Sequence, residues 1–373
     1  MISLFKTHTP QTIDKPLLET LHSGYITQGP KVDEFEGRLA DFFGTPNVVA
    51  LNSGTSALTL AMRLAGIGPG DEVITTAMTC TATNLPVLSL GASIVFADCD
   101  PITGNINTES IEKLVTKKTK AILFVDWGGM PADLDQIMSI ARAHNLKVIE
   151  DAAHAFGAEY KGQKVGTIAD FTCFSLQAIK HITTGDGGIL TCKDPADYDR
   201  AKVLRWFGID RSKNGLDSRI DQDIEEWGYK FHMNDLNATI GIVQMDHVAN
   251  VLQAHRVNAR YYEENLDNYF VRNVDPSDRR SAWWLYTLVL PSKKDRDDFK
   301  KYMNDGGVMV NQVHKRNDEY TVFKPFARKG LDGLDYFADR MVCIPVHWGL
   351  SIEELGQIAG MCNEFAQKRR KKS

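Results

Sequence analysis

The sequence predicts an α/β protein with a large, mainly parallel sheet covered by helices, followed by a smaller mixed α/β domain. Three observations predict it. Up to about residue 240, short apolar runs such as Val48–Leu51 alternate with helix-length amphipathic segments. Those runs are apolar throughout rather than every second residue, as in strands buried on both faces. Beyond that point the alternation gives way to a long helical stretch and sparser strands. The reading divides the chain into 1–240, a large ligand-binding domain with its N-terminal segment, and 241–373, a small C-terminal domain.

Taken in order, residues 1 to about 30 look irregular and end in the turn Gln28-Gly29-Pro30. Val32, Phe35, Leu39 and Phe43 then recur at helical spacing. Strands are expected at Val48–Leu51, Glu72–Thr75, Ser93–Phe96, Lys120–Val125, Lys147–Asp151, Phe171–Ser175 and Gly188–Cys192, with a helix over Leu134–His144. A single long helix is expected over Leu236–Leu266. A strand over Trp283–Leu290, a helix over Lys294–Asn304 and a strand over Val308–Val310 follow. The basic run Lys368–Lys372 reads as a solvated, frayed end.

Composition narrows the function. The chain has 373 residues, enough for a large core without staples. A formal net charge of −5 disfavours a dedicated nucleic-acid binder, and no apolar run reaches membrane-span length. The N-terminus lacks a signal-peptide pattern, so the chain is expected in the cytosol. None of the six cysteines form a C-x-x-C pair, and no metal site is expected; they read as reduced core thiols. Gly66-Ile67-Gly68-Pro69-Gly70 follows a helix and precedes a strand, the reverse of a dinucleotide loop.

Three polar clusters fall at the C-terminal ends of expected strands, where α/β sheets bind ligands. Asn52-Ser53-Gly54-Thr55-Ser56-Ala57 opens a helix; it is either an anion cradle or a plain N-cap. Asp151 ends an apolar strand, where a carboxylate either caps the next helix or serves a ligand. Lys180 lies between Ser175 and the glycines Gly185, Gly187 and Gly188, among apolar neighbours that would lower its pKa and free its amine. Together the clusters fit pyridoxal 5'-phosphate. That cofactor needs a lysine amine for its aldehyde (Lys180) and an anion cradle for its phosphate (Thr55, Ser56, Ser175). It also needs a carboxylate at its pyridine nitrogen (Asp151), so that the ring accepts electrons.

The chain resembles the DegT/DnrJ/StrS family of sugar aminotransferases. The resemblance runs through Gly24-Tyr25-Ile26-Thr27-Gln28-Gly29-Pro30, Asn52-Ser53-Gly54-Thr55, Pro69-Gly70-Asp71-Glu72, Glu150-Asp151-Ala152-Ala153-His154, Ile182–Gly188 and Gly228–Asp235. It implies the aspartate-aminotransferase-like fold (fold type I) and a cytoplasmic homodimer with shared active sites. It implies Lys180 as the Schiff-base lysine, Asp151 at the pyridine nitrogen and His154 near the ring hydroxyl. Thr55, Ser56 and Ser175 are implied on the phosphate, with His232 reaching the partner subunit's cofactor. A related branch carries histidine in place of the lysine and dehydrates its sugar; Lys180 here favours transamination.

Two departures stand out. Cys80 occupies a position where many relatives stack an aromatic ring on the cofactor, so stacking is weaker or comes from elsewhere. The stretch Val313–Asp318 differs from the usual substrate-side segment; His314 and Arg316 are its candidate substrate contacts. The implied reaction moves an amino group from glutamate to the keto group of a nucleotide-linked deoxy sugar for surface polysaccharide, 4-keto favoured. A 3-keto sugar, a small keto-alcohol phosphate or a non-catalytic regulator is the alternative.

Overall fold

The computed structural model describes residues 1–212, 220 and 222–371. Seven strands form the main sheet. Across it they run Val48–Leu51, Gly188–Cys192, Phe171–Ser175, Lys147–Asp151, Thr119–Val125, Glu72–Thr76, Ser93–Ala97. Gly188–Cys192 alone runs against the others. The continuous apolar runs have a direct cause: both faces are covered. Ala121 and Leu123 pack into one core, while Ile122 and Phe124 of the same strand pack into another.

Parallel order puts the C-terminal ends of six strands along one edge, so Ser53, Asp151 and Ser175 converge there from distant sequence. Gly188 is required by the closeness of this edge. A Cβ there would sit 2.1 Å from the Ser53 carbonyl oxygen.

A second, antiparallel sheet orders Val271–Arg272, Tyr286–Val289 and Met341–Ile344. Helices Val248–Asn265, Lys293–Asp305 and Ile352–Arg370 bury Tyr262, Phe299, Met303 and Phe365 against it. Ile2 joins this core and bridges Val308, which brings the N-terminal residues Leu4 and Phe5 back toward the main-sheet edge.

Several elements differ from the sequence expectation. The first thirty residues include the helix Asp14–His22. The expected long helix breaks at Asp246 and His247 into Asp235–Met245 and Val248–Asn265. The break has tightened turns, His247 N–H donating to Gln244, and Arg38 holds Asp246 at 2.6 Å. The strand expected from Trp283 begins only at Tyr286, and in place of a strand over Val308–Val310 there are isolated bridges at Val308 and Asn311. The basic tail stays helical to Arg370 because Arg369 pairs with Asp295 and Asp298, and Arg370 with Asp267. Lys372 lies outside the described residues.

Candidate active site

A cavity of about 520 Å³ opens at the C-terminal edge of the main sheet. Thr55, Cys80, Asp151, His154, Ser175, Lys180 and His314 all line it. They come from both halves of the chain and meet only because the sheet order brings their strand ends together.

Lys180 sits in the short turn after Phe171–Ser175, its backbone N–H donating to the Gln177 carbonyl. Exclusion of water lowers its pKa from 10.5 to about 8, with Asp151 and Cys80 pulling the other way. Part of its amine is therefore free near neutral pH. The adjacent His181 points elsewhere, its Nε2 donating to the Ala282 carbonyl at 2.9 Å.

Asp151 ends the central strand and is 4% exposed. Its carboxylate accepts from Thr83 Oγ1 at 2.7 Å and from the Ala153 N–H at 3.1 Å. Burial raises its pKa, while those two donors and Lys180 oppose the rise. A cation at this point would restore the ionised form, which is what a protonated pyridine nitrogen supplies. The buried Asp151 carboxylate therefore suits the pyridine nitrogen of the cofactor.

The helix Gly54–Leu64 points its N-terminus at the cavity. Ser53 Oγ caps it, accepting from the Ser56 N–H at 3.0 Å. A Cβ on Gly54 would come within 3.1 Å of the Ser175 side chain, so the two segments are closely apposed. Thr55 and Ser175 both face the cavity there. Ser56 does not. It is buried behind the turn, and its hydroxyl donates to Asn52 Oδ1 at 2.6 Å. Ser56 is tied into the turn by its backbone N–H, which donates to Ser53 Oγ.

His154 and His314 lie ring over ring, 5.6 Å apart and 4° from parallel. Burial pushes both below the ordinary imidazole value, His314 to about 3, so both are neutral at physiological pH. Arg316 is a correction to the sequence expectation. Its fork is bidentate on Asp318, at 2.8 and 2.7 Å, and also held by Asp335. It lies outside the cavity lining, and its charge is already neutralised. His232 is also apart from the cavity, packed 3.9 Å from the Trp206 ring and near Thr27.

Sequence reasoning missed Trp284, Phe5 and Thr83. Trp284 lines the cavity and stacks on His154 at 3.9 Å and on Phe5 at 5.0 Å. Aromatic surface therefore does come from outside the Cys80 stretch. The doubled tryptophan was the available signal, but its apolar setting reads as a strand.

A lysine amine, a buried carboxylate and a helix N-terminus around one cavity define a pyridoxal-phosphate enzyme of fold type I. The model of the DegT/DnrJ/EryC1/StrS aminotransferase family matches residues 8–362. The chain is 38% identical over 364 residues to the UDP-4-amino-4-deoxy-L-arabinose–oxoglutarate aminotransferase of Shewanella sediminis, covering 93% of each. It is 39% identical over 281 residues to the spore coat polysaccharide biosynthesis protein SpsC of Bacillus subtilis, covering 74% of this chain and 72% of that one. The sugar aminotransferase Spr1654 of Streptococcus pneumoniae, described as putative and solved in its PMP form, superposes with a TM-score of 0.92. It is 29% identical, covering 99% of this chain and 100% of that one. The chain belongs to this family of pyridoxal-phosphate-dependent sugar aminotransferases.

Proposed function

We propose that the protein transfers an amino group from glutamate to the keto group of a nucleotide-linked deoxy sugar, at C4, in the making of a surface polysaccharide. The observation that carries the chemistry is the half-buried Lys180 amine in one cavity with Asp151 and the N-terminus of Gly54–Leu64. The substrate reading rests on relatives. One is named for a UDP-linked 4-amino-4-deoxy sugar and for oxoglutarate, the keto acid of glutamate. Another is named for spore coat polysaccharide biosynthesis.

Bound pyridoxal phosphate supplies an electron sink for the carbanion formed at the amino-bearing carbon. The residues do the rest. Lys180 would hold the cofactor through its amine, and the free amine would serve as the general base and acid. Asp151, oriented by Thr83 and Ala153, keeps the pyridine nitrogen protonated. Thr55, Ser175 and the helix N-terminus receive the phosphate. His154, held neutral, accepts or donates at the ring hydroxyl, and His314 faces the substrate side. Cys80 borders the ring. The protein works as a cytoplasmic homodimer, with His232 directed to the partner's site.

The test is the visible spectrum of the purified protein before and after glutamate, beside Lys180→Ala. Lysine-bound cofactor gives a yellow band that bleaches with glutamate and never forms in the variant. A band indifferent to glutamate overturns the donor. Incubation with UDP- or GDP-linked 4-keto-6-deoxy sugars and analysis of the product then tests the acceptor.

A further inference from the structure

The indole of Trp284 has a place in this site that the roles above do not use. Its Nε1–H donates to the carbonyl of Ile179 at 2.9 Å, the residue just before Lys180. The Lys180 Nζ lies 3.5 Å from the centre of the same ring system. Trp284 thus grips the lysine's backbone with its edge and meets the lysine's amine with its face. The ring is itself held against His154 and Phe5.

This posture is built by the backbone. Trp283 has φ +52, a left-handed conformation unusual for an aromatic residue. Ala282 and Leu285 donate to the carbonyls of Gly129 and Gly128 on either side of it. The kink delays the strand to Tyr286. It sends Trp283 into the core of the second sheet and leaves Trp284 facing the cavity.

We infer that Trp284 is the positioning residue for Lys180, its indole face serving as the resting place of the lysine ammonium whenever the amine is not joined to the cofactor. This rests on the proposed role of Lys180. An aromatic face attracts a cation most strongly where water is excluded. The other groups around the amine are Asp151 and Cys80, which favour its charged form, and the neutral imidazoles His154 and His314. An ammonium resting on Trp284 leaves the Asp151 carboxylate to the cofactor nitrogen. It also keeps the amine within reach of the same cavity for reattachment. Trp284 does not itself exchange a proton.

The test reads Lys180 directly. Full-length protein stripped of cofactor is treated with limiting acetic anhydride across pH 5.5–10, and acetylation of each lysine is quantified by mass spectrometry. Trp284→Leu is expected to lower the Lys180 pKa by about one unit, roughly a tenfold gain in reactivity near pH 6.5, with the other lysines unchanged. Trp284→Phe keeps a ring in the stack, protects against misfolding, and is expected to shift the profile less and in the same direction. A Lys180 profile that stays put or moves upward in both variants overturns the proposal. The role of Lys180 is read separately. If pyridoxal phosphate added to the unmodified protein yields no band that Lys180→Ala abolishes, that role falls, whatever Trp284 does.

Discussion

Thr83 donates a hydrogen bond from its Oγ1 to the Asp151 carboxylate at 2.7 Å, deep in the site and 68 residues away in sequence. A second threonine, Thr79, lies 2.6 Å from Thr83 and extends the chain of hydroxyls. Asp151 is therefore aimed by the helix Thr81–Ser89 as well as by its own strand.

Removal of that donor weakens the hold on the cofactor. Thr83→Val leaves part of a buried carboxylate unpaired, at a penalty of about 1–3 kcal/mol. The dissociation constant of pyridoxal phosphate, titrated by absorbance, is expected to rise roughly tenfold or more. Thr83→Ser is expected to restore most of it. Equal affinity in all three proteins would show that Asp151 needs no such support.

The Lys180 amine gives a pH signature. Its pKa of about 8 means that the free amine falls tenfold for each unit of pH below that value. Uptake of pyridoxal phosphate by cofactor-free protein is expected to speed up about tenfold from pH 6 to 7 and to level off above pH 8. A rate that keeps climbing steeply to pH 10 would place the amine in ordinary solvent.

Behind Asp151 the next residue, Glu150, faces the opposite way and is fully buried near Asp126. Burial raises both carboxyls, Glu150 to about 7; the charge on Glu150 raises Asp126 further, while hydrogen bonds from Thr172 and Asp126 hold Glu150 down. Groups with raised folded values hold a proton that the unfolded chain has released. Their contribution to stability is greatest below the unfolded value near 4.5 and declines as pH rises toward 7. Glu150→Gln is neutral and can still accept from Thr172, which now bonds Glu150 at 2.8 Å. Urea unfolding at pH 5 and pH 8 is expected to show a pH-dependent loss smaller by about 1–3 kcal/mol in the variant. An unchanged difference would mean that the pair does not share a proton.

Arg316 is tied to Asp318 and Asp335, so its removal is expected to act on stability. Arg316→Ala should lower the urea midpoint, a loss of about 1–3 kcal/mol for a bidentate pair shielded mainly on the Asp318 side. The KM for glutamate is expected to stay within about twofold, since the side chain is outside the cavity. A large rise in KM with stability intact would return Arg316 to the substrate.

Asn317, in the same segment, is fully buried and bonds Asn84 at 2.9 Å and the Thr79 carbonyl at 2.7 Å. These bonds join the Val313–Asp318 stretch to the helix that carries Thr83. Neither asparagine is distinguishable in sequence from an ordinary loop or helix residue.

The sequence by itself determined the strands of the main sheet, because burial on both faces forces continuous apolar runs with little ambiguity. It also marked Lys180, Asp151 and the Ser53–Ser56 turn, since each sits at a strand end where a polar group needs a reason. Only the tertiary structure decided what those groups touch. Trp283 and Trp284 read as two residues of a strand, and the contacts with Gly128 and Gly129 that kink them are more than 150 positions away. Arg316 and Ser56 read as ligand groups until their fixed partners, Asp318 with Asp335 and Asn52, came into view. Periodicity records whether a side chain is buried. It does not record its partner, because hydrogen bonds and ring contacts join residues that share space rather than sequence.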